Sequence, residues 1–579
     1  MVEMKNRRRL GDGWANGMTS VEVNQCTWPY IGVFGDVCSW EDFTSYFNMS
    51  TISKSSKMLG VSQPISIAQP TQKDILQTAA LMQTLKGFNS FEPKEETEKR
   101  VTVIKKLSDI INTWIKMVTA SRVPKGSNLS AEGKLMAFGS YRLGVHSSGG
   151  DIDSVLIAPR YVSRSDFFTS LKSVLSADPL VKSLNAVEHA YVPLMTMEYD
   201  SVEVDLLFAR MDLATIPNDL DLTNNSLLKN LDQESVRSLN GVRVCEKMLQ
   251  LVPNPESFRL ALRAIKIWAK NHGIYSNAMG FFGGITWAIL VARTCQLYPN
   301  ASASTLVQKV FFVFASWDWK SPVLLDFLSN ENSGMIALDN MVWGRKYADR
   351  FHLMPILTPC FPEQNSTHNV TRSTKQVIES ELKNALETCK DIQNGKATWN
   401  DLMEETNFFS RYKHFVSLQM DAKTETAKNG YAGFLESRIR KLVTTLERNH
   451  GIQIAHANPK MFKCVSKTQS VWFIGLEFTD VIKNLDLTPE IQNFKKTVDE
   501  QAKMQSGFGD VQLEISYVKR ANLIKIIPAA ELKRGKFYVV KKVAEVEKEN
   551  CGGMKRSCQN VNVKSSMVKR SVLKSIAVY

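Results

Sequence analysis

Phe138-Gly139-Ser140-Tyr141-Arg142-Leu143-Gly144, followed by Gly150-Asp151-Ile152-Asp153-Ser154-Val155-Leu156-Ile157, is the stretch on which the reading of this chain turns. The run from Ile152 to Ile157 is apolar enough for a buried strand. In an extended strand, residues two apart share a face, so Asp151 and Asp153 project together. Two carboxylates held that close repel each other unless a cation lies between them. Hard divalent cations with oxygen ligands, Mg²⁺ above all, suit such a pair. Upstream, Gly139-Ser140 is a small-residue turn whose amides and hydroxyl are placed to hold a phosphate. A third acid comes from Val202-Glu203-Val204-Asp205-Leu206-Leu207-Phe208. Alternation puts Glu203 and Asp205 on the face opposite the apolar residues, and either one completes a site for two metal ions. Such a site performs in-line phosphoryl or nucleotidyl transfer, in which positioning and charge neutralisation supply most of the catalysis. The signatures GxxxxGK[ST], HExxH and GxSxG do not occur. His146, alone in the loop before Asp151, reads as a structural residue.

Further along, Pro255 at a first turn, Phe258, Leu262, Ile265 and Ala269 at helical spacing and Gly273 at the end predict a helix over 254–273. Its other face carries Arg259, Arg263, Lys266 and Lys270, a basic stripe. Beside a metal-dependent transferase site, the expectation is that this stripe neutralises a triphosphate or a nucleic-acid backbone.

Around this centre lie 579 residues, 44% of them apolar and 22% charged, enough for several cores and inconsistent with a mainly disordered or fibrous chain. No apolar run approaches the ~18 residues of a membrane span, and no signal-peptide core follows the basic start. Nine cysteines without a CxxC pair point to a reducing compartment. Net charge is +14, concentrated at the end: residues 501–579 hold 16 basic against 6 acidic residues, an asymmetry that favours a polyanionic partner, nucleic acid first. Residues 1–56 read as a poorly ordered extension and 541–579 as a basic tail. After about residue 400, strand and helix patterns follow in the order β-α-β-β-α-β, the ferredoxin-like order of many RNA-binding modules, though without their RNP1 aromatic pattern.

The stretch from Phe138 through His146 to Asp151-Ile152-Asp153 resembles the active-site signature of the eukaryotic nuclear poly(A) polymerases, which belong to the DNA polymerase β-like nucleotidyltransferases. The likeness continues in Leu239-Asn240-Gly241-Val242-Arg243, Leu262-Arg263-Ala264-Ile265-Lys266-Ile267-Trp268, Ile274-Tyr275-Ser276-Asn277, Gly283-Gly284-Ile285-Thr286-Trp287, His352-Leu353-Met354-Pro355-Ile356 and Asn407-Phe408-Phe409-Ser410-Arg411-Tyr412. It runs from about residue 59 to about residue 540. The resemblance implies an α+β multidomain fold: a nucleotidyltransferase palm (99–213) inserted in a helical central domain (57–98 and 214–400), then a ferredoxin-like RNA-binding domain (401–540). It implies template-independent addition of AMP from ATP to RNA 3′ ends in mRNA processing. Two Mg²⁺ or Mn²⁺ ions would be held by Asp151, Asp153 and Asp205, which selects Asp205 over Glu203 by analogy alone. ATP would contact Phe138, Gly139, Ser140, Ser147, Asp151, Ile152, Asp153, Asp205, Asn240, Lys266, Tyr275, Asn277, Gly284 and Ile285. Implied partners are the RNA 3′ end, ATP and mRNA cleavage and polyadenylation factors, with a monomeric state and no membrane. Lys555-Arg556 and Lys569-Arg570 resemble a bipartite nuclear signal, which makes the nucleus the expected location. Cys245-Glu246 stands where the family has Thr-Asp, a departure that removes no catalytic group. With all three carboxylates present, the sequence reads as an enzyme and not as an inactive RNA-binding scaffold.

Overall fold

A computed structural model describes residues 58–124, 131–329, 335–465, 469–479, 485–505 and 508–537. The N-terminal extension and the basic tail lie outside the described residues.

The first sheet has five strands: β1 (Lys134–Ala137), β2 (Ile152–Ala158), β3 (Val181–Val187), β4 (Leu194–Tyr199) and β5 (Val202–Arg210). Their spatial order is β1-β2-β5-β4-β3, with β2 and β5 parallel and the other pairs antiparallel. β2 is buried along almost its whole length because both faces are covered. On one face lies α2 (Lys94–Arg122), whose Val103, Leu107, Ile111 and Trp114 pack with Leu156, Leu206 and Phe208. On the other lies α3 (Gln233–Leu251), whose Val236, Leu239 and Val242 meet Val155, Ile157, Leu207 and Ala209. The sheet is therefore a sandwich filling, and its acids at the strand ends are held on a stiff frame.

A second core joins α1 (Gln72–Gly87), α4 (Pro255–Asn271), α5 (Gly284–Leu297), α6 (Ala303–Phe314) and α7 (Arg372–Gln393). α4 starts where its sequence dictates. The Asn254 side chain accepts from the Ser257 amide at 3.0 Å, and Pro255 occupies the first turn. Phe258, Leu262, Ile265 and Trp268 are fully buried. At about 1.5–3 kcal/mol each, their burial outweighs the ~1 kcal/mol of a cap, so packing holds this helix in place. No helix among the described residues is long and apolar enough to cross a membrane.

The C-terminal sheet contains β6 (His414–Asp421), β7 (Ile452–Ala457), β8 (Phe462–Lys463), β9 (Gln469–Phe478) and β10 (Gln512–Lys519). Its main path runs β10-β6-β9-β7, all antiparallel, with β8 on β9. With α8 (Glu425–Leu446) and α9 (Thr488–Lys503) between the strands, this is the ferredoxin-like arrangement that the β-α-β-β-α-β order predicts, with the short β8 added. Val416, Leu418, Trp472 and Ile474 share one face with the helices. The opposite face, on which RNA-recognition modules stack bases, is filled by the chain itself. Phe409 and Phe462 pack on Phe473 at 5.2 and 5.9 Å between ring centroids, and Tyr412 lies against Gly475. The lack of an RNP1 pattern has this physical counterpart.

Candidate active site

β1 leads through Phe138 into a one-turn helix, Gly139–Arg142, and the loop 143–150 then delivers the chain to β2. Gly139 takes φ +63°, and a Cβ built there would meet the Asp153 carboxylate at 2.1 Å. Only glycine allows the turn to lie against that acid. Asp151 precedes β2 and Ile152 and Asp153 open it, while Asp205 lies on the adjacent parallel strand, directly across from Asp153. One carboxylate oxygen from each of Asp151, Asp153 and Asp205 lies within 4.8 Å of the others. Glu203 is displaced by one pleat repeat, is exposed, and sits opposite Glu198. Register thus separates two acids that alternation alone leaves equivalent.

The three acids disturb one another. Burial first, then the charges of Asp151 and Asp205, pushes Asp153 up to about 7. Burial, then Asp151 and Glu203, pushes Asp205 up to about 6. Oxygen-only donors whose charges oppose each other, held by two rigid strands, fit a hard divalent cation.

The basic stripe on α4 is tied to the loop that leads into the acids. Arg263 donates to the carbonyls of Gly144 at 2.9 Å and His146 at 2.6 Å, and also to that of Ser90. Arg259 donates to Leu143 O at 3.2 Å, and Lys266 Nζ to Val145 O at 2.9 Å. Three of the four cations therefore hold the 143–146 loop, because loop carbonyls buried against a helix need donors. Lys266 also feels Asp151 and Asp153, although burial, then Lys270 and Arg263, lowers it to about 8. The loop is gripped from its other side by α2. Glu96 accepts from Ser148 Oγ at 2.8 Å and from the Gly149 amide at 3.3 Å. Glu92 binds His146 Nε2 at 3.0 Å and the buried Arg100. Burial lowers His146 against the pull of Glu92, whose carboxylate holds the ring in place. Ser147 lies between these two grips, its carbonyl accepting from the Gly150 amide at 3.1 Å.

The remaining candidates come from α3, from the segment after α4 and from the start of α5. Tyr275 and Asn277 follow α4, and Gly284 and Ile285 open α5. A Cβ at Gly284 would meet Tyr275 Oη at 2.6 Å, so that glycine lets the phenol approach. Burial, then Asp151 and Asp153, pushes Tyr275 up to about 12, which places it within the field of the acids. Asn240, on α3, has a buried Oδ1 without a hydrogen-bond partner among the described residues. Its neighbour Gly241 lies against the Phe138 ring, tying α3 to the turn. Glu92, just before α2, and Glu96, on α2, escape the sequence reading because no local pattern marks them, and Glu246, on α3, shows there only as a departure from the family. Glu246 binds Arg142 at two points, and Cys245 lies beneath Gly139 O at 4.0 Å.

Three family models match in succession: the poly(A) polymerase nucleotidyltransferase domain over residues 60–252, the poly(A) polymerase central domain over 257–405 and the poly(A) polymerase predicted RNA binding domain over 407–471. A Dictyostelium discoideum poly(A) polymerase is 38% identical over 480 residues, covering 80% of this chain and 59% of its own length. The chain thus spans less than two thirds of that relative. An Arabidopsis thaliana nuclear poly(A) polymerase 1 is 38% identical, covering 82% of this chain and 67% of its own. A Candida albicans poly(A) polymerase PAPalpha is 42% identical, covering 70% of this chain and 73% of its own. With a palm sheet carrying three convergent aspartates, a helical centre and a ferredoxin-like C-terminal sheet in the order of those matches, this chain belongs to the poly(A) polymerase family.

Proposed function

We propose that this chain is a polynucleotide adenylyltransferase that adds AMP from ATP to RNA 3′ ends without a template, releasing pyrophosphate, in mRNA 3′-end processing in the nucleus. The observation that carries the reading is the meeting of Asp151, Asp153 and Asp205 against the Gly139 turn. These three would hold two Mg²⁺ or Mn²⁺ ions. When bound, such ions activate the primer 3′-hydroxyl and neutralise charge on the departing pyrophosphate.

The chain's own groups do the positioning. Ser140, Ser147 and the amides of the Gly139 turn receive the phosphates. Lys266, fixed by Val145 O, directs its ammonium charge to the same anion. Tyr275 contributes a protonated phenol, since its titration is pushed up to about 12. Asn240 and Asn277 offer amide groups to the nucleotide, with Phe138, Ile152, Gly284 and Ile285 as walls. In domain terms, 99–213 is the palm, 57–98 and 214–400 the helical centre and 401–540 the RNA-binding part. Processing factors guide the enzyme to its transcripts, and it works as a monomer.

Extension of a labelled oligo(A) primer, with each NTP supplied singly and Mg²⁺ or Mn²⁺ present, tests this. ATP-selective growth that disappears in Asp205→Ala is expected. Growth on UTP would move the chain to the uridylyl-adding class, and absence of growth from folded, RNA-binding protein would leave a scaffold.

A further inference from the structure

The segment Trp343–His352 is a tab closed at its base. Trp343 Nε1 donates to His352 Nδ1 at 3.1 Å, and the Trp343 amide donates to Glu363 O at 2.8 Å. Inside it, Asp349 Oδ2 accepts from the amides of Gly344 at 2.8 Å and Lys346 at 3.2 Å. The one acid of the tab is thus committed inward. Its cations are not: Arg345, Lys346 and Arg350 are exposed. Between them stand Tyr347, 70% exposed, and Phe351, 65% exposed, with ring centroids 5.4 Å apart and the Arg350 guanidinium 5.3 Å from the Tyr347 ring. A loop fixed by three internal hydrogen bonds and a fourth to Glu363, yet directing two aromatic rings into water, has a surface suited to a ligand. Rings beside guanidinium and ammonium groups match unpaired bases joined by phosphates.

Its place in the fold agrees. The chain leaving the tab runs beside residues 365–369: Thr367 Oγ1 donates to Met354 O, and Asn369 Nδ2 donates to the carbonyl of Asn277, a candidate nucleotide contact, at 3.1 Å. The chain entering it packs Leu338, Met341 and Val342 on the α3 side of the palm sheet. The tab is therefore flanked by one segment packed on the palm sheet and another held to residues 365–369, which contact Asn277.

We propose that Tyr347 and Phe351, flanked by Arg345, Lys346 and Arg350, form a stacking platform for single-stranded RNA behind its 3′ end. The proposal rests on the reading that RNA is the substrate. It concerns unpaired nucleotides of any sequence, because every base has a face to stack and the platform offers no fixed donor pattern.

The test is binding of a labelled oligo(A) of about 20 nucleotides, longer than a single-strand site of ~4–16, to the full chain without ATP. Tyr347→Ala and Phe351→Ala are each expected to weaken binding about five-fold or more, as loss of one stacked base does. Tyr347→Phe, which keeps the ring, is expected to bind as the wild type does. Lys346→Gln should lower the slope of log affinity against log salt by about one. Thermal melting and KM for ATP, unchanged in all variants, establish that the fold persists. Equal RNA affinity in both alanine variants and the wild type would overturn the platform, and would leave the adenylyltransferase reading intact if primers still grow. Tyr347-dependent RNA binding by a wild type that extends no primer would do the reverse.

Discussion

Arg142 and Glu246 meet as a two-point ion pair, Nε to Oε1 at 2.5 Å and Nη2 to Oε2 at 2.8 Å, and so tie the one-turn helix after β1 to α3. Both side chains are about three-quarters buried. Bidentate guanidinium–carboxylate pairs fix geometry as well as contributing energy, and the group fixed here is the turn that carries Gly139 and Ser140. Glu246→Ala is expected to raise KM for ATP roughly ten-fold, with a stability loss of about 1–3 kcal/mol. Glu246→Asp should recover most of the KM effect. Steady-state kinetics with urea melts would separate the two, and an unchanged KM in the alanine variant would deny the turn its role.

Gly139→Ala is expected to be among the most damaging single-methyl changes in the chain. The new Cβ meets Asp153 at 2.1 Å in a backbone conformation at φ +63°. Primer extension should drop at least about a hundred-fold, the scale of displacing reacting groups by an ångström. Extension within a few-fold of wild type would mean that the turn and the acid are not held together in solution.

The acid pair should contribute a stability to the metal-free protein that is lost as pH rises. Asp153 and Asp205 hold protons up to about 7 and about 6 in the folded chain, against 3.8 ordinarily. Between about pH 4 and 7 these two groups therefore bind more protons in the folded state than in the unfolded one, and their contribution falls with rising pH across that window. Histidines whose titration is lowered by burial, His146, His352, His414 and His456, oppose this, so the acids' share is read as a wild-type Tm that declines by a few degrees relative to Asp153→Asn from about pH 5 to about pH 8 with chelator present. Asp153→Asn should raise Tm at the upper end, while abolishing extension. Mn²⁺ should stabilise the wild type more at the higher pH. Parallel slopes for variant and wild type would place the titration elsewhere.

Arg263→Met should cost about 2–4 kcal/mol, because three partly buried carbonyls lose their donor. Arg263→Lys cannot serve three acceptors in a fixed fork, and little rescue is expected. A chemical melt of each variant checks this. A loss below about 0.5 kcal/mol would return the stripe to an ordinary solvated face.

What the sequence determined by itself is whatever follows from a local period. Alternation placed Asp151 and Asp153 on one side of a strand, helical spacing and a cap defined α4, and the succession of strand and helix patterns after residue 400 specified a ferredoxin-like sheet. Each rests on geometry within a few residues, which the backbone imposes wherever the chain is. Tertiary structure decided what depends on two distant segments meeting. The choice between Glu203 and Asp205 came from the pairing of β5 with β2, since a parallel register sets one residue of each strand opposite the other. The α4 cations, legible as a stripe, became loop anchors because the carbonyls of residues 143–146 are buried against them. Glu92 and Glu96 left no mark in the sequence, and Glu246 showed only as a departure from the family pattern: His146, Ser148 and Arg142, which they touch, lie 54, 52 and 104 residues away in the chain.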